Sequence, residues 1–483
     1  MSGLNPIRGV IERAALSPDS IAIQSAKDEF SNSVFVDTVV RIAAKLRADG
    51  VRPGSVVGLR MDPFLNTVFL AALMHEGAVS FVARGNIVEE YASSIDSLYS
   101  DDPVFAARVT GGVHVSPQWL ESAARLNPRI EPNDSGDDDS LVHLVFSSGT
   151  TGTPKGVPFT LRDLKIRTAA ARVNWMPHLP FLSELGLDTA SGIQTYFWSL
   201  FTGETYLLPG TAADNVVLIE RARVQSIKTS PAKLKDLVAA AKTKNAEVSS
   251  VKVLEVAGSL LSPKLAATFA RAFSAELVYL YGSTEAGTVT RAVYDPTDPQ
   301  RVGRVFPTAR VEIVDDAGVT LEKGYVGAVR LQSDYQVTRY WPPTATPTLE
   351  FRDGWFYPGD SGVLDAEGTL VITGRTDELI NASGFKINPA WVESHIGGYR
   401  GISDFACFAF ATDDGTKALA LAFVSQNYIN VDRFIAYMSE RLGENAPRHV
   451  FRVATIPRNS LGKVARVELS GQIELARKQR SPS

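Results

Sequence analysis

Residues 141–156 read LVHLVFSSGTTGTPKG, and the reading of this stretch decides the architecture. Leu141 to Phe146 is a short apolar run, the pattern of a buried strand. Ser147 to Gly156 then packs five hydroxyls, three glycines and a lysine into ten residues. Glycines let backbone N–H groups come close to a ligand, hydroxyls donate, and an ammonium adds charge, so the composition suits a loop that wraps phosphate oxygens. The spacing is not that of a Walker A loop, because Lys155 precedes a glycine with no G-K-[ST] ending. Read alone, the run is equally a flexible Ser/Thr/Gly loop.

On the N-terminal side, Ile7, Val10, Ile11 and Ala14 recur at helical spacing, as do Val39, Ile42, Ala43 and Leu46, with Gly50 as a stop. Pro53-Gly54 turns the chain into the apolar run Val56 to Leu59. Asn66 to Ala83 reads as one core helix, too short and too polar to span a bilayer. Glu131 to Ser140 reads as a solvated acidic loop. On the C-terminal side, Lys252 to Val256 and Leu277 to Tyr281 read as buried strands. Between them Ser262-Pro263 starts a helix with Leu265, Phe269 and Phe273 on one face. The last hundred residues form a distinct unit. Asn388-Pro389 opens one helix there, and Phe434, Met438 and Leu442 mark the apolar face of another. Helix and strand alternate, so the fold class is α/β.

At 483 residues the chain exceeds one hydrophobic core, and two or more domains are expected. Its 49 basic and 53 acidic residues balance to a net charge of -4, which argues against a nucleic-acid or anionic-membrane surface. The single cysteine, Cys407, excludes an internal disulfide framework. Met1 to Arg13 lacks a secretory pattern, and a cytoplasmic location is expected.

The 147–156 run resembles the phosphate-binding signature of the adenylate-forming superfamily, which includes acyl-CoA synthetases, peptide-synthetase adenylation domains and luciferases. Further motifs follow in the family's order. Gly258-Ser259 resembles its adenine-site segment, with Leu260 in place of proline. Tyr281-Gly282-Ser283-Thr284-Glu285 matches its Y-G-x-T-E. Trp355 to Asp360 is close to its W-x-x-T-G-D, with Pro358 in the threonine slot. Gly374-Arg375-Thr376-Asp377 and Pro457 to Lys463 are similar to its hinge and its C-terminal P-x-T-x-x-G-K, Asn459 replacing threonine. Arg52 to Val57, Val302-Gly303-Arg304 and Gly324 to Gly327 also fit, so the resemblance covers nearly the whole chain.

The resemblance implies these roles. Ser147, Ser148, Gly149, Thr150, Thr151, Gly152 and Lys155 would hold the phosphates of ATP. Tyr281, Gly282, Gly258 and Ser259 would lie against the adenine, and Thr284 on the phosphate. Glu285 would hold Mg2+, which suits a hard cation that takes few protein ligands and several phosphate oxygens. Asp360 would accept the ribose hydroxyls, and Arg375 would contact ribose or phosphate. Lys463 would bridge the substrate carboxylate and the α-phosphate. Asp377 would be the hinge between a core of residues 1–376 and a small mobile α+β domain of residues 377–483. Ser383 to Lys386 resembles the loop presented for thioester formation, with CoA or a carrier protein's phosphopantetheine as acceptor.

One region departs from the family. Many acyl-CoA synthetases carry an aromatic–histidine pair near the acid pocket, whereas here Gly186 to Gly192 holds Asp188 and no histidine. Peptide-synthetase domains place an amine-binding aspartate at a similar motif, so Asp188 could face a substrate amine or simply cap a turn. Gly192 belongs to the same candidate pocket. Trp175, Tyr196 and Trp198 are candidate pocket aromatics, with core packing favoured for most of them. The reading that follows is acid activation as an acyl-adenylate with release of pyrophosphate, then transfer to a thiol. Loading a separate carrier protein is the alternative. A P-loop phosphotransferase is disfavoured by the failed Walker spacing. A retired binding protein is disfavoured by the presence of Glu285, Asp360 and Lys463.

Overall fold

The computed structural model describes the chain except residues 1–4, 134–136, 148–153, 175–177, 260, 262, 344–347, 377–379, 383–384, 388, 397–398, 413–416, 444–445, 459–463 and 479–483. Its two large sheets are built by different sequence patterns. The first, of six strands, contains Val56–Arg60, Val79–Val82, Ser97–Ser100, Gly112–His114 and Leu141–Ser147 in parallel. Lys155–Thr160 closes its edge antiparallel to Leu141–Ser147. The parallel strands are joined through helices such as Pro63–Glu76, as βαβ crossovers require.

The stretch Asn66 to Ala83 is not one helix. Asp62 caps its start by accepting from the Phe64 and Leu65 N–H groups, and Pro63 fills the first turn. The helix ends at Gly77, whose φ of 72° is left-handed, and the chain then enters the strand Val79–Val82. Every residue from Asn66 to Glu76 is buried. Burial on all sides erased the amphipathic period that would have marked the break.

The second sheet has twelve strands. Phe181–Ser183, Ser226–Thr229, Val253–Val256 and Glu276–Ser283 run parallel. Antiparallel strands follow from Gly287–Val293 outward, including the neighbours Asp360–Leu364 and Thr369–Arg375. Helices Pro231–Lys244 and Pro263–Ala272 cover one face of the parallel part. There Leu234, Leu237 and Phe269 share a core with Ile227, Leu254 and Val256. Phe269 and Phe273 stack at 5.0 Å, as the expected helical face requires, with Leu265 partly buried beside them. The ends Ser183, Thr229 and Val256 lie nearly level, and the Glu276–Ser283 strand runs four residues past them from Tyr279 to Ser283, so the C-terminal edge, where α/β sheets place ligands, carries a projecting strand end.

Residues from Ile380 onward carry their own core. Ile380, Val392, Cys407, Leu421, Phe434 and Met438 form one cluster, and Phe408, Phe410, Leu469 and Ile473 another; neither includes a residue before Ile380. Phe434, Met438 and Leu442 are the buried face of the helix Val431–Leu442. A second helix there begins at Pro389. Among the described residues no helix is long and apolar enough to cross a membrane.

Candidate active site

The Ser/Thr/Gly run joins two antiparallel strands, with Ser147 paired to Lys155 in register. Ser148, Gly149, Thr150, Thr151 and Gly152 lie outside the described residues. The base of this hairpin is fastened on both sides. The Tyr91 hydroxyl donates to the Pro154 carbonyl at 2.6 Å, and the Trp341 N–H donates to the Gly156 carbonyl at 2.7 Å. A Cβ on Gly156 would sit 2.7 Å from the Trp341 carbonyl oxygen, which requires glycine there. The Lys155 ammonium forms an ion pair with Glu350 and lies 5.0 Å from the Tyr340 ring centroid.

Glu285 follows the end of the Glu276–Ser283 strand and is 6% exposed. Its Oε1 accepts from Ser147 Oγ at 3.4 Å and from the Tyr340 hydroxyl at 3.2 Å. Burial raises its pKa above the ordinary carboxylate value, and hydrogen bonds from Tyr340, Ser283 and Ser147 offset part of that rise. The turn carrying Thr284 and Glu285 rests on buried Arg167. Its Nη2 donates to the carbonyls of Thr284 and Glu285, both at 3.2 Å, and of Tyr335 at 3.1 Å. Desolvation lowers the Arg167 pKa to about 10, so it stays a cation at neutral pH. Gly282 is a packing requirement, because a Cβ there would come within 2.0 Å of the Gly287 carbonyl oxygen.

Tyr281, Asp360 and Arg375 meet. The Tyr281 hydroxyl donates to Asp360 Oδ2 at 2.6 Å, and Arg375 Nη1 donates to Asp360 Oδ1 at 3.2 Å and to the Pro358 carbonyl at 2.5 Å. Asp360 and Arg375 are direct cross-strand partners. Burial, then the Asp360 charge and hydrogen bond, hold the Tyr281 pKa well above its ordinary value, so the phenol is the donor. Gly258 has φ of 93° and opens on free space, since a Cβ there would meet nothing within 4 Å. The neighbouring Ser259 carbonyl accepts from the Tyr279 hydroxyl at 2.8 Å.

Asp188 carries a side chain only 6% exposed, and Arg84 forms an ion pair with it. The place that the sequence reading left for a substrate amine is thus held by a guanidinium of the protein. Gly192 lies in the first turn of the helix Ala190–Thr202, where its N–H donates to the Thr189 cap at 3.0 Å. A Cβ at Gly192 would strike the Gly186 carbonyl oxygen at 2.0 Å. Tyr196 is core, with its hydroxyl donating to the Thr67 carbonyl at 2.9 Å. Trp175 lies outside the described residues.

A hydroxyl- and lysine-bearing hairpin of the first sheet thus meets, through Ser147 and the buried Glu285, the part of the second sheet that carries the tyrosine–aspartate–arginine group. A family model described as AMP-binding enzyme matches residues 10–341, well over half of the chain. The chain belongs to this family. Indoleacetate–CoA ligase of Aromatoleum aromaticum is 25% identical over 492 aligned positions, covering 93% of this chain and 94% of that protein. 4-coumarate–CoA ligase 4 of Arabidopsis thaliana is 26% identical, covering 90% of this chain and 84% of its own length. Among solved structures, the O-succinylbenzoate coenzyme A synthetase of Bacillus subtilis in complex with AMP superposes with a TM-score of 0.84 at 20% identity. That match covers 97% of this chain and 98% of that one. The last likeness concerns the fold, and it matches a layered α/β protein with a large N-terminal and a small C-terminal part.

In this AMP-binding enzyme, Lys463 and Asp377 lie outside the described residues, so their positions rest on the motifs alone. Arg167, Tyr340, Glu350 and Arg84 are site-building residues that sequence reasoning missed. Arg167 reads as one more cation on the helix Leu161–Asn174. Tyr340-Trp341 offered a faint signal, as an aromatic pair just ahead of Pro342 in a polar stretch.

Proposed function

We propose that the protein activates a carboxylic acid with ATP and then passes the acyl group to the thiol of coenzyme A. A carboxylate oxygen attacks the α-phosphorus and pyrophosphate leaves; the thiol sulfur then attacks the acyl carbon and AMP leaves. The observation that carries the reading is the convergence of Ser147, Lys155 and Glu285 with the Tyr281–Asp360–Arg375 group. The two ligase relatives described above support coenzyme A as the acceptor.

In this reading Lys155 exchanges Glu350 for phosphate oxygens. Asp360, oriented by Tyr281 and Arg375, accepts from the ribose, and Gly258 with Ser259 borders the adenine. Thr284 donates to phosphate. Lys463 stabilises the charge that builds up at the α-phosphorus. The buried Glu285 suits a magnesium ion, because a cation would offset the cost of burying its charge. Among the described residues no cluster of three or more His, Cys, Asp or Glu could hold a metal alone. Phosphate and water oxygens would therefore complete the shell, the usual arrangement for magnesium on nucleotides. A core of residues 1–376 and a mobile unit of residues 377–483, hinged at Asp377, would serve the two half-reactions in turn. The separate hydrophobic cores after Ile380 support that division.

The test is pyrophosphate release over a panel of carboxylates, followed by thioester detection with coenzyme A. Acid-dependent release and a coenzyme A thioester are expected. Release that never depends on an added acid would overturn adenylation, and an acyl-adenylate that coenzyme A does not consume would overturn the acceptor.

A further inference from the structure

The parallel strands of the second sheet are in register, so one row of side chains crosses it through Ser183, Lys228, Glu255 and Val278. Leu280, two residues beyond Val278, lies directly opposite Arg291. These residues alternate with Ile227, Leu254 and Val256, so they occupy the face turned away from the helices Pro231–Lys244 and Pro263–Ala272. That face looks toward the helix Ala190–Thr202. Phe181 shares it, and together with Thr195 and Trp198 of that helix lines a cavity of about 170 Å³.

A charged row is costly between two layers of a protein. Lys228 is 2% and Glu255 3% exposed. Desolvation lowers the lysine pKa and raises that of the glutamate, with Lys228, Arg291 and His178 acting against the latter shift. Glu255 is close to two cations without being hydrogen-bonded to either. Lys228 Nζ lies 3.9 Å from Glu255 Oε2, and Arg291 Nε lies 3.9 Å from Glu255 Oε1. Both separations exceed hydrogen-bond length. Glu255 Oε2, Arg291 Nε and Trp198 Nε1 are all buried without a hydrogen-bond partner among the described residues. Orphaned polar atoms of this kind are rare in native proteins and carry a penalty that a ligand can remove. Two of them, on Glu255 and Arg291, are neighbours on the sheet face, and the third belongs to Trp198 of the helix that lines the cavity with Phe181.

Glu255 stands one residue before the strand end at Val256 and three before Gly258, so at most about 10 Å of chain separates it from the nucleotide site. We infer that the space between this face and the helix Ala190–Thr202 receives the acid, and that Glu255 and Arg291 select acids whose far end carries a hydroxyl. The inference rests on the adenylation reading. A hydroxyl can donate to Glu255 and accept from Arg291 or Trp198, whereas an alkyl end leaves all three unmet. The acid is then compact, of roughly aryl-propanoate length on the strand spacing above.

Isosteric pairs test this in the wild-type protein: 3-(4-hydroxyphenyl)propanoate against 3-(4-methylphenyl)propanoate, and 6-hydroxyhexanoate against heptanoate, with dodecanoate as the long alkyl control. In at least one pair, kcat/KM for pyrophosphate release should favour the hydroxylated acid by about tenfold or more. Glu255→Leu should erase that preference, and Glu255→Gln should retain part of it. Because the wild-type ratios need no variant, a misfolded Glu255→Leu protein leaves the test intact. Methyl-ended acids equal or better in both pairs, or dodecanoate best of all, would overturn the inference while leaving adenylation standing. No release with any acid would remove the adenylation reading, and this inference with it.

Discussion

Tyr281 and Asp360, 79 residues apart in the chain, are joined by a 2.6 Å hydrogen bond from the phenol to one carboxylate oxygen. Arg375 takes the other oxygen. The carboxylate is therefore held in one orientation before any ligand arrives, which is the preorganisation that binding sites exploit. Asp360→Ala should raise the KM for ATP by about 10–100-fold, the equivalent of one charged hydrogen bond of about 1.5–3 kcal/mol. Tyr281→Phe removes only the support and should raise it less. ATP titrations of pyrophosphate release decide this; an unchanged KM in Asp360→Ala would detach that residue from the nucleotide.

Glu285 has opposed effects on stability and on function. Its folded pKa is raised, so its contribution to stability is full below the ordinary value of 4.5 and is lost as pH rises through the folded value. At pH 8 the buried charge is a burden, and Glu285→Gln should unfold at or above the wild-type temperature. The same variant should need far more magnesium for adenylation. In the wild type, protonation should begin at a pH above 4.5 and should likewise raise the magnesium requirement. A variant with lowered Tm and normal magnesium response would contradict both halves.

Lys463→Ala should reduce adenylation by about 10²–10³-fold, the usual loss when a group stabilising transition-state charge is removed. Thioester formation from a supplied acyl-adenylate should suffer less. Asp377→Pro should likewise slow one half-reaction more than the other, and equal losses would count against a hinge there.

Arg84→Ala strips the Asp188 carboxylate, 6% exposed, of its guanidinium. A buried charge left unpaired costs about 1–3 kcal/mol, which urea unfolding would register as a lower midpoint. Removing both partners should recover part of that loss, since the carboxylate is then gone too. A double variant no more stable than Arg84→Ala would show that the two charges are uncoupled.

The residues legible in the sequence were those that sit in short, ordered motifs at strand ends. Tyr281, Glu285, Asp360 and Arg375 could be named because local spacing announces them, and the sheet brings them to one edge. The residues that were not legible act across the chain. Glu350 meets Lys155 at a separation of 195 residues, and Arg167 supports Glu285 at 118. No local period records such contacts. The break inside Asn66 to Ala83 was hidden for a different reason: a helix buried on all sides and the strand after it are both simply apolar. Asp188 showed its chemistry but not its partner, because Arg84 comes from a distant strand end.

The cross-strand pairing of Ser147 with Lys155 has a bearing on how this stretch can evolve. Side chains alternate faces at each step of a strand, so losing or gaining a single residue on the lysine's side would swing the ammonium to the back of the sheet, away from Glu350 and Tyr340. Insertions and deletions within the Lys155–Thr160 strand should therefore be rare among this protein's relatives.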